Sequence, residues 1–338
     1  MIDVNFVNAF RQSIQSAQTV LCVSHTGPDG DAIGSLLGMT KILRQLGKNV
    51  TPALPDMAED ALPFLSGIDD IILPPDVAAH YDLIVCLDAS DRDRMGKVYR
   101  EVDHKGIPLI VIDHHVTNTY FGDLHWVEPN CAATCQMVVY LAEALEISLN
   151  PQLAQCLLTG LVTDTLCFRT SNTSAAVLEV AMRLMQAGAD LAFITEQTLN
   201  RRSFRVMQLW GQVLPTLHLE EGVIWTTVSR TQLAAVDADP DRDVNLSGFL
   251  VTAAEANVSA TFLEKEDEDG LPTVECSFRA KRGYNVGELA FRFGGGGHPP
   301  ASGCTISGTL DEVTAQVVPE LKKIRPPQQG TEGQEGNE

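Results

Sequence analysis

Two short apolar runs, each closed by an aspartate, set the frame for this chain: Leu83-Ile-Val-Cys-Leu-Asp88 and Leu109-Ile-Val-Ile-Asp113. Runs this short, continuously apolar and rich in β-branched residues are expected of strands covered on both faces, as in a parallel sheet. Such a strand has no polar face to give to water, so helices must cover it above and below. Thr19 to Ser24 reads as a further strand, Asp31 to Leu46 as a helix closed by Gly47, and Asn49 to Leu54 as the next strand. Helices are expected at about Ala132 to Leu145, Gln152 to Thr163 and Ser174 to Ala187. The alternation argues for an α/β fold with a mainly parallel sheet flanked by helices, and a second, smaller α/β domain across a cleft.

The second half has a different texture. Leu191 to Leu214 is helical in pattern, with polar Asn200-Arg-Arg-Ser203 inside it. Strands follow at Val223 to Ser229, Ala256 to Leu263 and Thr273 to Phe278. The acidic turn Glu264–Gly270 between the last two predicts a hairpin. The expected division is 1–190 for the first domain, 191–215 for a helical linker and 216–325 for the second domain. The apolar-free tail 326–338 is expected to be disordered.

Charge and cysteine content narrow the partners. With 24 Lys+Arg against 44 Asp+Glu the net charge is −20, which disfavours a long duplex partner, since binding a polyanion needs a continuous basic surface. No apolar stretch approaches the roughly 20 residues of a membrane span, and no secretory signal is visible at the N-terminus. No membrane partner is expected. The eight cysteines are scattered, and Cys22, Cys86 and Cys156 lie inside apolar runs. That pattern fits reduced, buried thiols and a cytoplasmic location. Cys131 and Cys135 are read as helix packing rather than a zinc site, because no second cysteine pair accompanies them.

The chemistry sits at the strand ends. His25, Asp29 and Asp31 alternate with small residues in His25-Thr-Gly-Pro-Asp29-Gly-Asp31, where Asp31 stands at the expected helix N-cap. A cap explains one aspartate but neither of its neighbours. Asp88 closes its strand, and Asp91 and Asp93 beyond it read as solvated. Arg94 fits a phosphate contact and a surface ion pair equally well. Asp113-His114-His115 follows a buried strand, so one imidazole can bind a metal while the other faces a substrate, with Asp113 orienting a ring. Asn118 lies on the next loop, as a turn residue or a substrate contact. Asp164 ends Leu161-Val-Thr-Asp in an apolar helix. Hard carboxylate oxygens and imidazoles gathered at strand ends suit a pair of divalent cations, which usually serve attack at phosphorus. Far downstream, Gly294, Gly295, Gly296 and Gly297 precede His298 and suit an anion nest. Arg279 could add a forked phosphate grip, although alone it reads as a surface residue.

Set side by side, these segments resemble the DHH family of phosphoesterases. The likeness rests on His25-x3-Asp29-Gly-Asp31-Ala-Ile-Gly-Ser35, Asp88-Ala-Ser, Asp113-His-His115-x2-Asn118, Asp164 and Gly294-Gly-Gly-Gly-His298. The C-terminal part is similar to the DHH-associated domain, which argues against a family II inorganic pyrophosphatase. Length and the lack of sensory or membrane segments resemble the nano-RNase and pAp-phosphatase group (pAp is 3′-phosphoadenosine 5′-phosphate). The resemblance implies two divalent ions, Mn2+ first and Mg2+ or Co2+ as substitutes. One would take His25, Asp29 and Asp88; the other Asp31, Asp88, His114 and Asp164. It further implies His115 on the scissile phosphate, and Arg279, His298 and Gly295–Gly297 on substrate. Pro299-Pro300 after His298 departs from the family's pattern. Short single-stranded RNA or dinucleotides and pAp are the expected substrates, with a homodimer compatible. The rival readings are a cyclic-dinucleotide phosphodiesterase and an inactive nucleotide sensor.

Overall fold

The structure is a computed structural model that describes residues 2–326 except 58–60, 75–79, 101–103, 241–242, 245 and 268. The chain divides into two compact units, Met1–Arg201 and Arg202–Glu338.

In the first unit, helix α1 (Val4–Ser16) precedes strand β1 (Thr19–Val23). Helix α2 (Gly30–Gln45) follows, then strands β2 (Asn49–Ala53), β3 (Leu83–Leu87), β4 (Leu109–Asp113) and β5 (Leu124–Val127). Helices α3 (Thr134–Ala144), α4 (Pro151–Asp164), α5 (Ala175–Gln186) and α6 (Leu191–Gln197) complete it. The five-stranded sheet has the order β2-β1-β3-β4-β5, and every pair is parallel. The chain leaves β1 for β2 on one side and returns past β1 to β3 on the other. Strand order therefore reverses between β1 and β3, and the carboxyl ends at such a switch point are where open α/β sheets take ligands.

Every residue of β3 and β4 is buried. Alternate residues serve opposite faces: Leu83, Val85 and Leu87 join the main core with α2, α3 and α4, whereas Ile84 and Cys86 join a second cluster with Tyr81, Met95 and Val98. This is why the runs lack polar alternation. Two elements were not expected. Helix α1 buries Phe6, Phe10 and Ile14, and Phe6 lies 5.6 Å from Trp126 of β5, centroid to centroid. Strand β5 is an edge strand in which only Trp126 is buried, so it carries no continuous apolar run.

The second unit contains α7 (Phe204–Val213), β6 (His218–Glu220), β7 (Val223–Val228), α8 (Arg230–Ala235), α9 (Ser247–Leu250), β8 (Val258–Glu266) and β9 (Pro272–Ala280). Then come α10 (Gly287–Arg292), β10 (Gly296–His298), β11 (Ala301–Ser307) and α11 (Leu310–Leu321). Its six-stranded sheet has the order β10-β11-β9-β8-β7-β6, with β7 and β8 parallel and the other pairs antiparallel. The expected hairpin is the β8–β9 pair. Val313, Val317 and Leu321 of α11 pack in one core with Phe262 and Phe278.

Residues 191–215 are not one linker. Helix α6 belongs to the first unit, where Ile194 enters the main core, and α7 belongs to the second, where Leu209 and Val213 cluster with Val228 and Leu263. Apart from Pro326, the expected tail lies outside the described residues. No helix among the described residues is long and apolar enough to cross a membrane.

Candidate metal centre

The three strand ends at the switch point deliver the first residues of the site. β1 runs into His25, β3 into Asp88, and β4 into Asp113, His114 and His115. The Ser24 hydroxyl donates to Leu87 O at 2.7 Å, tying the first two ends together. Asp88 itself sits in the left-handed region at φ 59. A non-glycine residue held there is a strained position of the kind that functional sites retain.

Asp88 is 2 % exposed and divides its two oxygens. Oδ2 lies 3.5 Å from His25 Nε2, while Oδ1 lies 3.6 Å from His114 Nε2. His114 Nε2 is also 3.5 Å from Asp164 Oδ2 and 4.0 Å from Asp31 Oδ2. His25 Nε2 is 4.0 Å from Asp29 Oδ1. Two ligand-grade triads result, His25–Asp29–Asp88 and Asp31–His114–Asp164, each with donor atoms within 4.8 Å of one another. In a third grouping, Asp88–His114–His115, the donor atoms also lie within 4.8 Å of one another. All the expected ligand residues are thus brought to one place.

Ring orientation is set from behind. His25 Nδ1 donates to Thr26 O at 2.9 Å and His114 Nδ1 to Cys131 O at 3.3 Å, which leaves both Nε2 atoms facing the carboxylates. Such outer hydrogen bonds fix the tautomer of a metal-binding imidazole. His115 Nδ1 lies 2.7 Å from Asp113 Oδ1.

Two expectations change at this point. The N-cap of α2 is Asp29, not Asp31: Asp29 Oδ1 accepts from the N–H groups of Asp31 and Ala32, each at 3.0 Å. Asp31 is two residues further on, 1 % exposed, with its carboxylate turned into the protein. Asn118 is not free for substrate. Its amide donates to Asp113 Oδ2 at 2.6 Å and to Ala89 O at 3.1 Å, and its Oδ1 accepts from Tyr120 N–H at 2.7 Å. Both amide hydrogens are used, so Asn118 supports Asp113, which in turn holds His115.

Packing carries Asp164 into place. A Cβ on Gly160 would sit 2.7 Å from Asp31 Oδ1, and one on Gly30 would sit 2.2 Å from Thr163 Oγ1, so these glycines permit the close crossing of α2 and α4. Immediately after Asp164 the chain is left-handed at Leu166, Cys167 and Phe168. The Thr165 hydroxyl anchors that turn, donating to Leu161 O at 2.6 Å and accepting from Phe168 N–H at 3.0 Å.

The electrostatics show what the cluster lacks. Burial raises Asp31 well above the usual carboxylate range, and the charges of Asp88 and Asp164 push the same way. Burial likewise raises Asp164 to about 6, against the pull of His114. Asp88 goes the opposite way: burial opposes its charge, but the His25 hydrogen bond and the nearby imidazoles win and hold it at about 2. The Asp113 hydrogen bond leads in raising His115 to about 9. Carboxylates crowded together in this way are stabilised by cations. The all-oxygen and imidazole donor set suits hard or borderline divalent ions such as Mn2+ or Mg2+.

The glycine segment is more structured than a nest. Gly294 N–H donates to Phe291 O and Gly295 N–H to Ala290 O, closing α10, so these amides are not available to an anion. Gly295 is there because a Cβ would meet Gly303 O at 2.1 Å. Gly296, Gly297 and His298 form the exposed edge strand β10, paired with Gly303, Ser302 and Ala301. An edge strand keeps half of its backbone groups unpaired, and that is what remains of the expected nest. Arg279, on β9, is half-buried and opposite Ala301 in register. Burial lowers its pKa, and its Nη1 donates to Phe278 O at 3.0 Å. Arg94 is exposed, and what ties it to the centre is its carbonyl, which accepts from Thr26 N–H at 2.8 Å. Sequence reasoning missed Thr134, Cys131 O and Gly160. A Thr at a helix start reads as a local cap, and nothing nearby in the chain marks its partners.

Clustered carboxylates and imidazoles at the switch point of a parallel α/β sheet define the site of a metal-dependent hydrolase. Residues 19–161 match the DHH family, N-terminal domain, and residues 232–324 match the DHHA1 domain. The chain belongs to the DHH family of phosphoesterases. It is 35% identical to the bifunctional oligoribonuclease and PAP phosphatase NrnA of Thermus thermophilus over 312 residues, 90% of this chain and 89% of that protein. It is 27% identical to the protein of the same name from Bacillus subtilis, over 87% of this chain and 91% of that one. In fold it is similar to an exopolyphosphatase-related protein from Bacteroides fragilis, with a TM-score of 0.85 at 24% identity, covering 95% of this chain and 98% of that one.

Proposed function

We propose that this chain hydrolyses short single-stranded oligoribonucleotides to mononucleotides and 3′-phosphoadenosine 5′-phosphate to AMP, with two divalent ions, Mn2+ foremost. The names of the relatives supply the substrate classes. The observation that carries the two-ion reading is the split of Asp88, one oxygen toward His25 and the other toward His114. His25, Asp29 and Asp88 would hold one ion, and Asp31, Asp88, His114 and Asp164 the other, with Asp88 as the bridge. When bound, such a pair activates water and offsets charge on the phosphate.

The protein's own groups do the rest. Asp113 holds His115 Nδ1 and so leaves Nε2 as the donor for a non-bridging phosphate oxygen. In the second unit, Arg279, His298 and the open edge of β10 are assigned to the substrate's phosphates. The functional division is then chemistry in the first unit and substrate grip in the second.

The test compares kcat/KM of the Mn2+-loaded protein on pAp, on labelled RNA from dimer to pentamer, and on cyclic di-AMP. Turnover of pAp and short RNA above cyclic di-AMP is the expected result. Preference for cyclic di-AMP would replace the substrate assignment, and binding without turnover would make the chain a sensor. Replacing Mn2+ with Mg2+ or Co2+ in the same assay ranks the ions.

A further inference from the structure

Helix α3 begins against the metal centre without a cap of its own. Its N-cap position is Ala133, which offers no side-chain hydrogen bond. The free amides of its first turn are taken by another element: Thr134 N–H donates to Asp31 Oδ2 at 2.6 Å and Cys135 N–H to Asp31 Oδ1 at 2.9 Å. The Thr134 hydroxyl then donates to Asp88 Oδ1 at 3.0 Å. Thr134 is fully buried, and it touches the carboxylates of both proposed ion sites.

We propose that Thr134 is a positioning residue of the metal centre, its hydroxyl setting the rotation of the Asp88 carboxylate while its amide and that of Cys135 hold Asp31. The inference rests on the two-ion reading above. Bridging requires Asp88 to keep Oδ2 on the His25 side and Oδ1 on the His114 side. Asp29, Asp31, Asp88 and Asp164 converge there, and their mutual repulsion drives carboxylates to turn away or to take up protons. The amino end of α3 supplies a fixed positive pole against that repulsion. The single hydroxyl proton of Thr134 selects which oxygen of Asp88 it holds. Groups fixed in this way before the ligand arrives need no reordering when it binds.

The competing account is that Thr134 fills a helix start and its hydroxyl takes the nearest buried acceptor. Thr134→Val separates the two, because it keeps volume and β-branching but removes the donor and leaves Asp88 Oδ1 without it. The experiment is calorimetric Mn2+ titration of the EDTA-stripped full chain, with electron paramagnetic resonance to detect a spin-coupled Mn2+ pair. The wild type is expected to bind two coupled ions. Thr134→Val should keep its circular dichroism spectrum, bind Mn2+ roughly 10–100-fold more weakly and lose the coupled signal. Thr134→Ser, which restores the hydroxyl, should recover both. If Thr134→Val does not fold, Thr134→Ala removes the donor without adding a methyl and gives the same readout. Wild-type affinity and coupling in Thr134→Val or Thr134→Ala would overturn the positioning role and leave the two-ion reading standing. A wild-type protein that binds no Mn2+ pair would overturn both.

Discussion

The carboxylate cluster of the first unit and the glycine hairpin of the second are built on opposite terms. His25, Asp31, Asp88 and Asp113 are each at most 4 % exposed, and donors from other elements grip the three carboxylates. Gly296, Gly297 and His298 are exposed on an edge strand. The first arrangement suits groups that must hold like charges together, because a buried carboxylate left without partners would take a proton. The second suits contact with a ligand that comes and goes, since open backbone amides and a solvated imidazole cost little to leave empty. The difference teaches where each kind of chemistry can reside in this chain.

The sharpest way to break that comparison is Asp88→Ala. Hydrolysis of pAp should fall by roughly 10³-fold or more, and metal analysis should show that the ion pair is lost. Activity near wild type would mean the buried cluster is not the reaction centre.

The two histidines divide the first unit further. His115→Ala should retain both ions and lower kcat by about 10²-fold, the scale of one lost charge-stabilising donor. His114→Ala should lose metal, because its Nε2 faces three carboxylates. Equal metal loss in the two variants would erase this distinction.

Ion binding itself should act on one unit alone. At 100 times its dissociation constant, Mn2+ should stabilise the first unit by about 2.7 kcal/mol. Hydrogen exchange is the measurement: protection should rise around His25, Asp88 and Thr134, with β8 and β9 unchanged. A rise spread equally over both units would contradict the separation. The smallest effects belong to the second unit. His298→Ala and Arg279→Ala should each raise KM for pAp or lower kcat by about tenfold, the scale of one charge-assisted contact, with metal content retained. Wild-type kcat/KM in both would remove the hairpin from substrate binding.

Much of the first unit was readable because its signals are local. A continuous apolar run admits few structures, and an aspartate at its end can be placed without knowing any partner. Strand β5 and helix α1 escaped because neither carries such a run; β5 has one buried residue and α1 shows only an amphipathic stripe. The glycines before His298 misled for a related reason. Glycine permits both an open loop and close packing, and only the contact of Gly295 with Gly303 O shows which applies.

The sequence by itself determined the parallel sheet, the strand ends that carry His25, Asp88 and Asp113 to His115, and the class of ligand such residues take. Those conclusions follow from side-chain chemistry and short-range pattern. Tertiary structure decided that Asp29 rather than Asp31 caps α2, that Asn118 serves Asp113, and that Thr134 meets both Asp31 and Asp88. The last two partners lie 103 and 46 residues from Thr134 along the chain. Hydrogen bonds over such separations depend on how α2, α3 and β3 pack, and no local spacing encodes that.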